Sequence, residues 1–180
     1  MNPKKSLDGF NWDAQRREFS AIRELDVWKG YECENSIPTL KGSKVKLRIC
    51  TAESASIDEV TTKHVFAMQW LMDHQKELHD AIIETLFIYY QKMWAEYPDY
   101  MQDDPSLNVT SPLDFKHLID LTYVDIFPFQ KESLPYFGFE FECAWDPEHG
   151  FQILMNGLRV VDLGGDGNNE YEIGIDGGID

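Results

Sequence analysis

Apolar and polar residues alternate through most of the last third of the chain. In "YFGFEFECAW" (136–145), Phe137, Phe139, Phe141, Cys143 and Trp145 fall on one side, with Gly138, Glu140, Glu142 and Ala144 on the other. A period of two marks a strand with one buried face. "GFQILM" (150–155) and "LRVVDL" (158–163) follow, joined by Asn156-Gly157, the dipeptide best suited to the positive φ angles of a type I′ turn. A two-residue loop there pairs Met155 with Leu158, Ile153 with Val160 and Phe151 with Asp162, so the three segments are predicted to form an antiparallel meander. Upstream, "KVKLRICT" (44–51) alternates Val45, Leu47 and Ile49 with Lys44, Lys46 and Arg48, the pattern of a half-buried strand with a basic outer face. "VWKGYECE" (27–34) and "LTYVDIFP" (121–128) read as two more strands.

Between 56 and 97 the period changes. Ser56-Ile-Asp-Glu59 has the form of a capping box, in which the serine oxygen and the glutamate carboxylate satisfy orphan amides, and a helix is predicted from there to about Met72. A second helix is predicted over 74–97, where Pro98 forbids continuation. Leu78, Ile82, Leu86, Tyr89, Met93 and Tyr97 form one row on it, and Ile83, Phe87, Tyr90 and Trp94 a neighbouring row; together they bury most of the helix. A short helix over 113–120 leads into the strand at 121. Residues 1–26 are predicted as a helical extension, with its helix around 13–25. The pattern as a whole predicts an α+β domain over 27–165: an antiparallel sheet, ending in the three-stranded meander, packed on two or three helices. Residues 166–180 remain as an acidic, glycine-rich tail or a final strand at 171–175.

Charge narrows the function classes. Lys and Arg total 16 against 32 Asp and Glu, a formal charge of −16 in 180 residues. That field repels nucleic acid and anionic membrane surfaces, and it suits either a basic protein partner or solubility alone. No run of apolar residues is long enough to span a membrane, and the N-terminal lysines have no apolar run behind them. Three scattered cysteines, Cys33, Cys50 and Cys143, make neither a disulfide framework nor a C-x-x-C site, which points to a reducing, cytoplasmic location. There the sequon at Asn108 is without meaning.

The richest local chemistry is Cys143-Ala-Trp-Asp-Pro-Glu-His-Gly-Phe151. A five-residue loop over 146–150 pairs Trp145 with Phe151, Cys143 with Ile153 and Phe141 with Met155, which keeps every apolar residue on one face. A four-residue loop inverts the pattern. Asp146, Pro147 and Gly150 are then turn residues. Glu148 and His149 are left over, with Asp162 as the one carboxylate the register brings near them. The candidate corner is therefore Trp145, Asp146, Glu148, His149 and Asp162. Its readings are a hydrogen-bonded structural corner, a partner-binding edge, or metal or acid–base chemistry, the last requiring all three of Glu148, His149 and Asp162.

Other constellations fail. The stretch from Gly164 resembles a single turn of the glycine-rich calcium repeat, which works only in stacked copies. An EF-hand loop starting at Asp166 places Tyr171 where glycine is needed and Gly177 where glutamate is needed. Histidines 64, 74, 79 and 117 make no metalloprotease motif, and no nucleophile elbow, phosphate loop or dinucleotide fingerprint occurs.

"FGFEFECAWDPEHGFQILMNGLRVVDLGG" resembles an uncharacterised bacterial domain family with a W-D-x-E-H-G hairpin motif, on the matching residues Trp145, Asp146, Glu148, His149, Gly150, Val160, Val161 and Gly164. The stretch "FIYYQKMWAEYPDY" is similar to the same family, and the likeness spans about 27–165. It implies a stand-alone bacterial protein, with some relatives similar to immunity proteins of toxin systems, and it supplies no catalytic residue. The expectation is a non-enzymatic, cytoplasmic binding protein with a basic partner such as a toxin, and no cofactor or metal. The rival is a metal-dependent hydrolase built on Glu148, His149 and Asp162.

Overall fold

The computed structural model describes residues 9–13, 18–33, 40, 43–50, 60–97, 107–164 and 169–178. The expected capping box at Ser56, the acidic loop containing Asp103 and Asp104, and the start of the glycine-rich tail at Gly165 lie outside them.

Seven strands form one sheet in chain order: β1 (Asn11–Asp13), β2 (Glu18–Glu24), β3 (Lys44–Ile49), β4 (Ile119–Lys131), β5 (Leu134–Cys143), β6 (Phe151–Asn156) and β7 (Arg159–Gly164). All neighbours run antiparallel except β3 and β4, whose parallel pairing requires a crossover. Two helices supply it, α1 (Thr62–Asp73) and α2 (Gln75–Glu96). A short third helix, α3 (Asn169–Ile175), follows β7. The architecture is α+β with a mostly antiparallel sheet.

Alternation decides where the core lies. Val45, Leu47, Val124, Ile126, Phe137, Phe139, Phe141, Ile153 and Met155 all project to the face covered by α1 and α2, where Leu71, Leu78, Ile82, Leu86 and Tyr90 are buried against them. The α2 rows read from the sequence are the ones that pack, except at the last turn, where Tyr97 is exposed. On the opposite face, Phe127, Tyr136 and Leu154 form a smaller cluster closed by Ile173 of α3.

Several expected elements differ. Within the stretch expected as a helix over 13–25, Glu18–Glu24 is instead β2, whose Phe19 and Ala21 are buried on alternate positions while Ile22 is exposed. It pairs residue for residue with β3, so it belongs to the sheet rather than to an extension. Of the strand expected at 27–34, the described residues form a 3₁₀ turn over Asp26–Trp28 followed by irregular chain as far as Cys33, because Trp28 and Tyr31 turn inward beside His79 of α2 and Cys33 is buried as well. Helix α1 begins at Thr62 rather than 56, and its cap is Thr61 with His64. Residues 112–117 are a 3₁₀ turn, and β4 already starts at Ile119. Within the final segment, where a tail or a strand at 171–175 was expected, residues Asn169–Ile175 form the helix α3.

The turns also moved. Asn156 is a strand residue opposite Arg159, its side-chain amide donating to the Leu134 carbonyl at 2.8 Å. Gly157 and Leu158 make the loop, and only Gly157 has a positive φ (57°), as a turn with glycine first requires. The two-residue loop with positive φ throughout lies between β4 and β5, where Lys131 pairs with Leu134 and Glu132 and Ser133 have φ of 53° and 65°. Neither residue favours that region, so the hairpin carries a local cost that the flanking pairing holds in place. Replacing Glu132→Asn together with Ser133→Gly is expected to raise stability by about 1–2 kcal/mol in urea unfolding; a neutral or negative change would show that the turn is not strained.

His64 is buried and its tautomer is set. Its Nδ1 accepts the Thr61 backbone N–H at 3.0 Å, so Nε2 carries the proton and donates to the Cys50 carbonyl at 2.8 Å. Burial lowers its pKa, with the Cys50 hydrogen bond acting the other way. A histidine that resists protonation only when folded contributes fully above its free pKa, about 6.5, and loses that contribution as pH falls towards the folded value. Stability is therefore expected to drop between about pH 7 and pH 5 more steeply in the wild type than in His64→Gln; parallel profiles would remove His64 from the account.

Candidate functional site

The expected corner divides. Trp145 lies in the core, its ring 5.1 Å from Tyr90, 6.0 Å from Phe151 and 6.2 Å from Phe115. Asp146 holds the loop: its Oδ1 accepts the His149 backbone N–H at 3.2 Å and lies 3.0 Å from the ring Nδ1. Both side chains face water, at 59% exposure for His149 and 39% for Asp146, and Glu148 is exposed beside them. Gly150 closes the loop with φ of 71° and donates to the Asp146 carbonyl at 2.9 Å.

The loop is longer than expected. Phe151 pairs with Phe141, not Trp145, and Ile153 with Phe139, not Cys143. Strand β4 claims the end of β5 through Ile119 opposite Cys143, and Trp145 is drawn in among Tyr90 and Phe115. The displacement is four residues, an even number, so every apolar residue keeps its face. At β7 an irregularity between Met155 and Leu154 shifts the pairing by one. Val160 sits opposite Met155, but Asp162 sits opposite Leu154. Asp162 therefore lies on the other face of the sheet from Phe151 and does not join His149 and Glu148. Among the described residues no group of three or more His, Cys, Asp or Glu is arranged to hold a metal ion. The thiols are no better placed for nucleophilic work: burial pushes Cys143 up to about 12 and raises Cys50 well above its ordinary value.

Two other polar constructions were not visible in the sequence. The first crosses the sheet face opposite α1 and α2. The register aligns Arg48, Asp125 and Gly138 in one row and Lys46, Tyr123, Glu140 and Gln152 in the next. Arg48 binds Asp125 bidentately, Nε to Oδ1 at 2.6 Å and Nη2 to Oδ2 at 2.7 Å, and Nη2 also meets Glu140. The Tyr123 ring stacks at 4.3 Å on the guanidinium, and Gln152 donates to Glu140 at 3.3 Å. Burial alone would oppose the charge on Arg48, but the two carboxylates more than offset it and hold the cation. Glu140 is pushed up by burial, against the pull of Arg48, and further raised by Asp125. The basic outer face expected on β3 is therefore largely neutralised, Arg48 by two acids and Lys46 by Glu18, while Lys44 stays exposed. Asp125, a lone acid in an apolar strand, was the one visible hint; its partner, 77 residues away, depends on the β3–β4 register.

The second is a groove of about 550 Å³ along the outer side of α2. Ile83, Phe87, Ile88, Pro112 and Leu113 give it apolar walls, and Asp80 and Glu84 stand at its rim. At one end His79 Nδ1 contacts Asp80 Oδ1 at 3.1 Å and Nε2 contacts the Tyr31 hydroxyl at 2.9 Å. In the neutral ring Nδ1–H donates to the carboxylate and Nε2 accepts from the phenol. Carboxylate, imidazole and hydroxyl in series have the form of a proton relay, but burial and Asp80 raise the Tyr31 pKa, so the phenol stays protonated and acts as a fixed polar wall. Ile88 and Leu113 are 63% and 68% exposed, large apolar side chains left open to solvent beside two acids.

A family model described as Domain of unknown function (DUF6985) matches residues 18–169. No curated protein and no solved structure matches. No helix among the described residues is long and apolar enough to cross a membrane.

The corner's role is tested by stability. A Cβ at Gly150 would meet the Phe141 carbonyl oxygen at 2.5 Å on a backbone already at positive φ, so Gly150→Ala is expected to cost about 2 kcal/mol or more, and exposed His149→Ala no more than about 0.5 kcal/mol. The reverse order in thermal or urea unfolding would sink the structural assignment.

Proposed function

The chain belongs to the DUF6985 family of unknown function, and we propose that this member is a non-enzymatic binding protein that captures a basic protein partner. Its finer form is a cytoplasmic bacterial immunity protein that neutralises a cationic toxin. One observation supports the reading above the others: six of the described lysines and arginines are held in ion pairs within the chain. Lys46 is on Glu18, Arg48 on Asp125 and Glu140, Lys76 on Asp80, Lys92 near Glu96, and Lys131 and Arg159 on Asp176. With the formal charge at −16, the surplus is carboxylate. A surface of that kind draws a cationic partner from a distance, raises the encounter rate and turns away acidic competitors. The field is screened by salt, which gives the reading its signature.

Co-expressed with the product of the neighbouring gene, the chain is expected to restore growth and to co-purify with it. Association of the pair should slow by at least about tenfold between roughly 0.05 and 0.5 M salt. Absence of both growth rescue and complex at low salt would overturn the reading, and a salt-independent complex would remove its electrostatic basis.

A further inference from the structure

We propose that the groove beside α2 is where that partner docks, and that it takes a short cationic amphipathic segment. One apolar side chain of the segment lies against Ile83, Phe87 and Leu113, and a lysine or arginine about one helical turn from it meets Glu84. The proposal rests on the function proposed above and deepens it.

Spacing on α2 sets the pattern. Asp80, Glu84 and Ile88 follow at steps of four, so they form one outward stripe. At 1.5 Å per residue, successive members are about 6 Å apart. The stripe passes from two acids to an open isoleucine, with the apolar floor alongside. The two acids differ in what they can offer. Asp80 is held below the usual carboxylate range by hydrogen bonds from Lys76 and His79, so its charge is answered locally. Glu84, among the described residues, has no ion-pair or hydrogen-bond partner. It is the carboxylate at the rim free to receive a cation, and it stands one helical turn from Ile88.

Charge complementarity decides the occupant. The rim acids repel an anionic ligand, and a neutral one would leave Glu84 unanswered while its apolar portion covered Ile88 and Leu113. A segment carrying both an apolar anchor and a cation satisfies floor and rim together, in the manner of an amphipathic segment laid into a groove. The fixed Asp80–His79–Tyr31 end contributes shape: with its hydrogen bonds already made internally, it bounds the groove rather than competing for the cation.

The test uses the full chain and fluorescein-labelled peptides of about 15 residues built from alanine, leucine and lysine, with leucine and lysine four apart on one face. Companion peptides carry glutamate for lysine or serine for leucine. Anisotropy is expected to show binding of the first peptide and loss of it with either companion. Glu84→Lys should weaken the first peptide by about tenfold, and Ile88→Ser by about fivefold. Glu96→Lys, an equal charge change about a third of a turn round the same helix and about 18 Å further along it, should weaken it less than about twofold. All three positions are on the helix exterior, so unchanged melting by circular dichroism keeps the comparison valid. Equal loss with Glu96→Lys and Glu84→Lys would mean that the general field, not the groove, binds the peptide. That result overturns the site while the salt-sensitive complex with the neighbouring gene product can still stand. Silence of the first peptide on the wild type would overturn the groove in the same way, and only the loss of that complex as well would overturn the function.

Discussion

Everything in this molecule depends on the sheet having one dry face. Strand β5 runs between β4 and β6 and sets that face with Phe137, Phe139, Phe141 and Cys143, all buried. Because side chains alternate strictly, neighbours can slide along β5 by two or four residues and keep their apolar side inward, but not by one. Strand β6 exploits that freedom, pairing four residues from the simplest alignment without exposing Phe151 or Ile153. Strand β7 meets the same rule at a bulge: Val160 packs towards α2, and one extra residue carries Asp162 to the other side. A single parity constraint thus explains both why the aromatic core is intact and why the apparent Glu148–His149–Asp162 cluster is not a cluster.

The opposite face is handled by different physics. Where α3 covers it, Ile173 completes an apolar patch with Phe127, Tyr136 and Leu154, and Asp176 is tied by Tyr136, Lys131 and Arg159. Away from α3 the face is polar, and Arg48 is stabilised by being answered twice. Such an arrangement adds little net stability over an apolar substitute, but it is costly to break from one side, since removing Arg48 leaves Asp125 and Glu140 facing each other. It also answers the charge of Arg48, as Glu18 answers that of Lys46, so that of the alternating basic residues of β3 Lys44 is the one left exposed.

The helices connect these sheet constraints to recognition. Helix α2 buries Leu78, Ile82 and Leu86 against the sheet, and its far side is thereby free to carry Asp80, Glu84 and Ile88. The 3₁₀ turn at 112–117 brings Pro112 and Leu113 alongside to make a groove from what would otherwise be a helix surface. The groove's polar end is assembled from the chain before β3 (Tyr31) and from α2 (His79), so its shape depends on both being anchored, as Trp28 against His79 at 4.8 Å does from within.

The sequence by itself determined the α+β class, the long helix ending before Pro98, the alternating strands at 44–49 and 136–143, and the burial of Phe137, Phe139 and Phe141 on one face. Those follow from periodicity, which is a local property. It misread 13–25 because Phe19 and Leu25 suit either period, and it misread 27–34 because Trp28, Tyr31 and Cys33 are buried by an irregular turn with no period at all. It placed the type I′ loop at Asn156-Gly157 on residue preference, whereas the chain forms its doubly positive turn at Glu132-Ser133, where the pairing of two long strands outweighs the local cost. Only the tertiary structure decided the rest: that Asp162 lies apart from His149, that Asp125 and Glu140 meet Arg48, and that Tyr31 meets His79. Each of these joins residues distant along the chain, and register and packing, not local composition, choose which side chains meet.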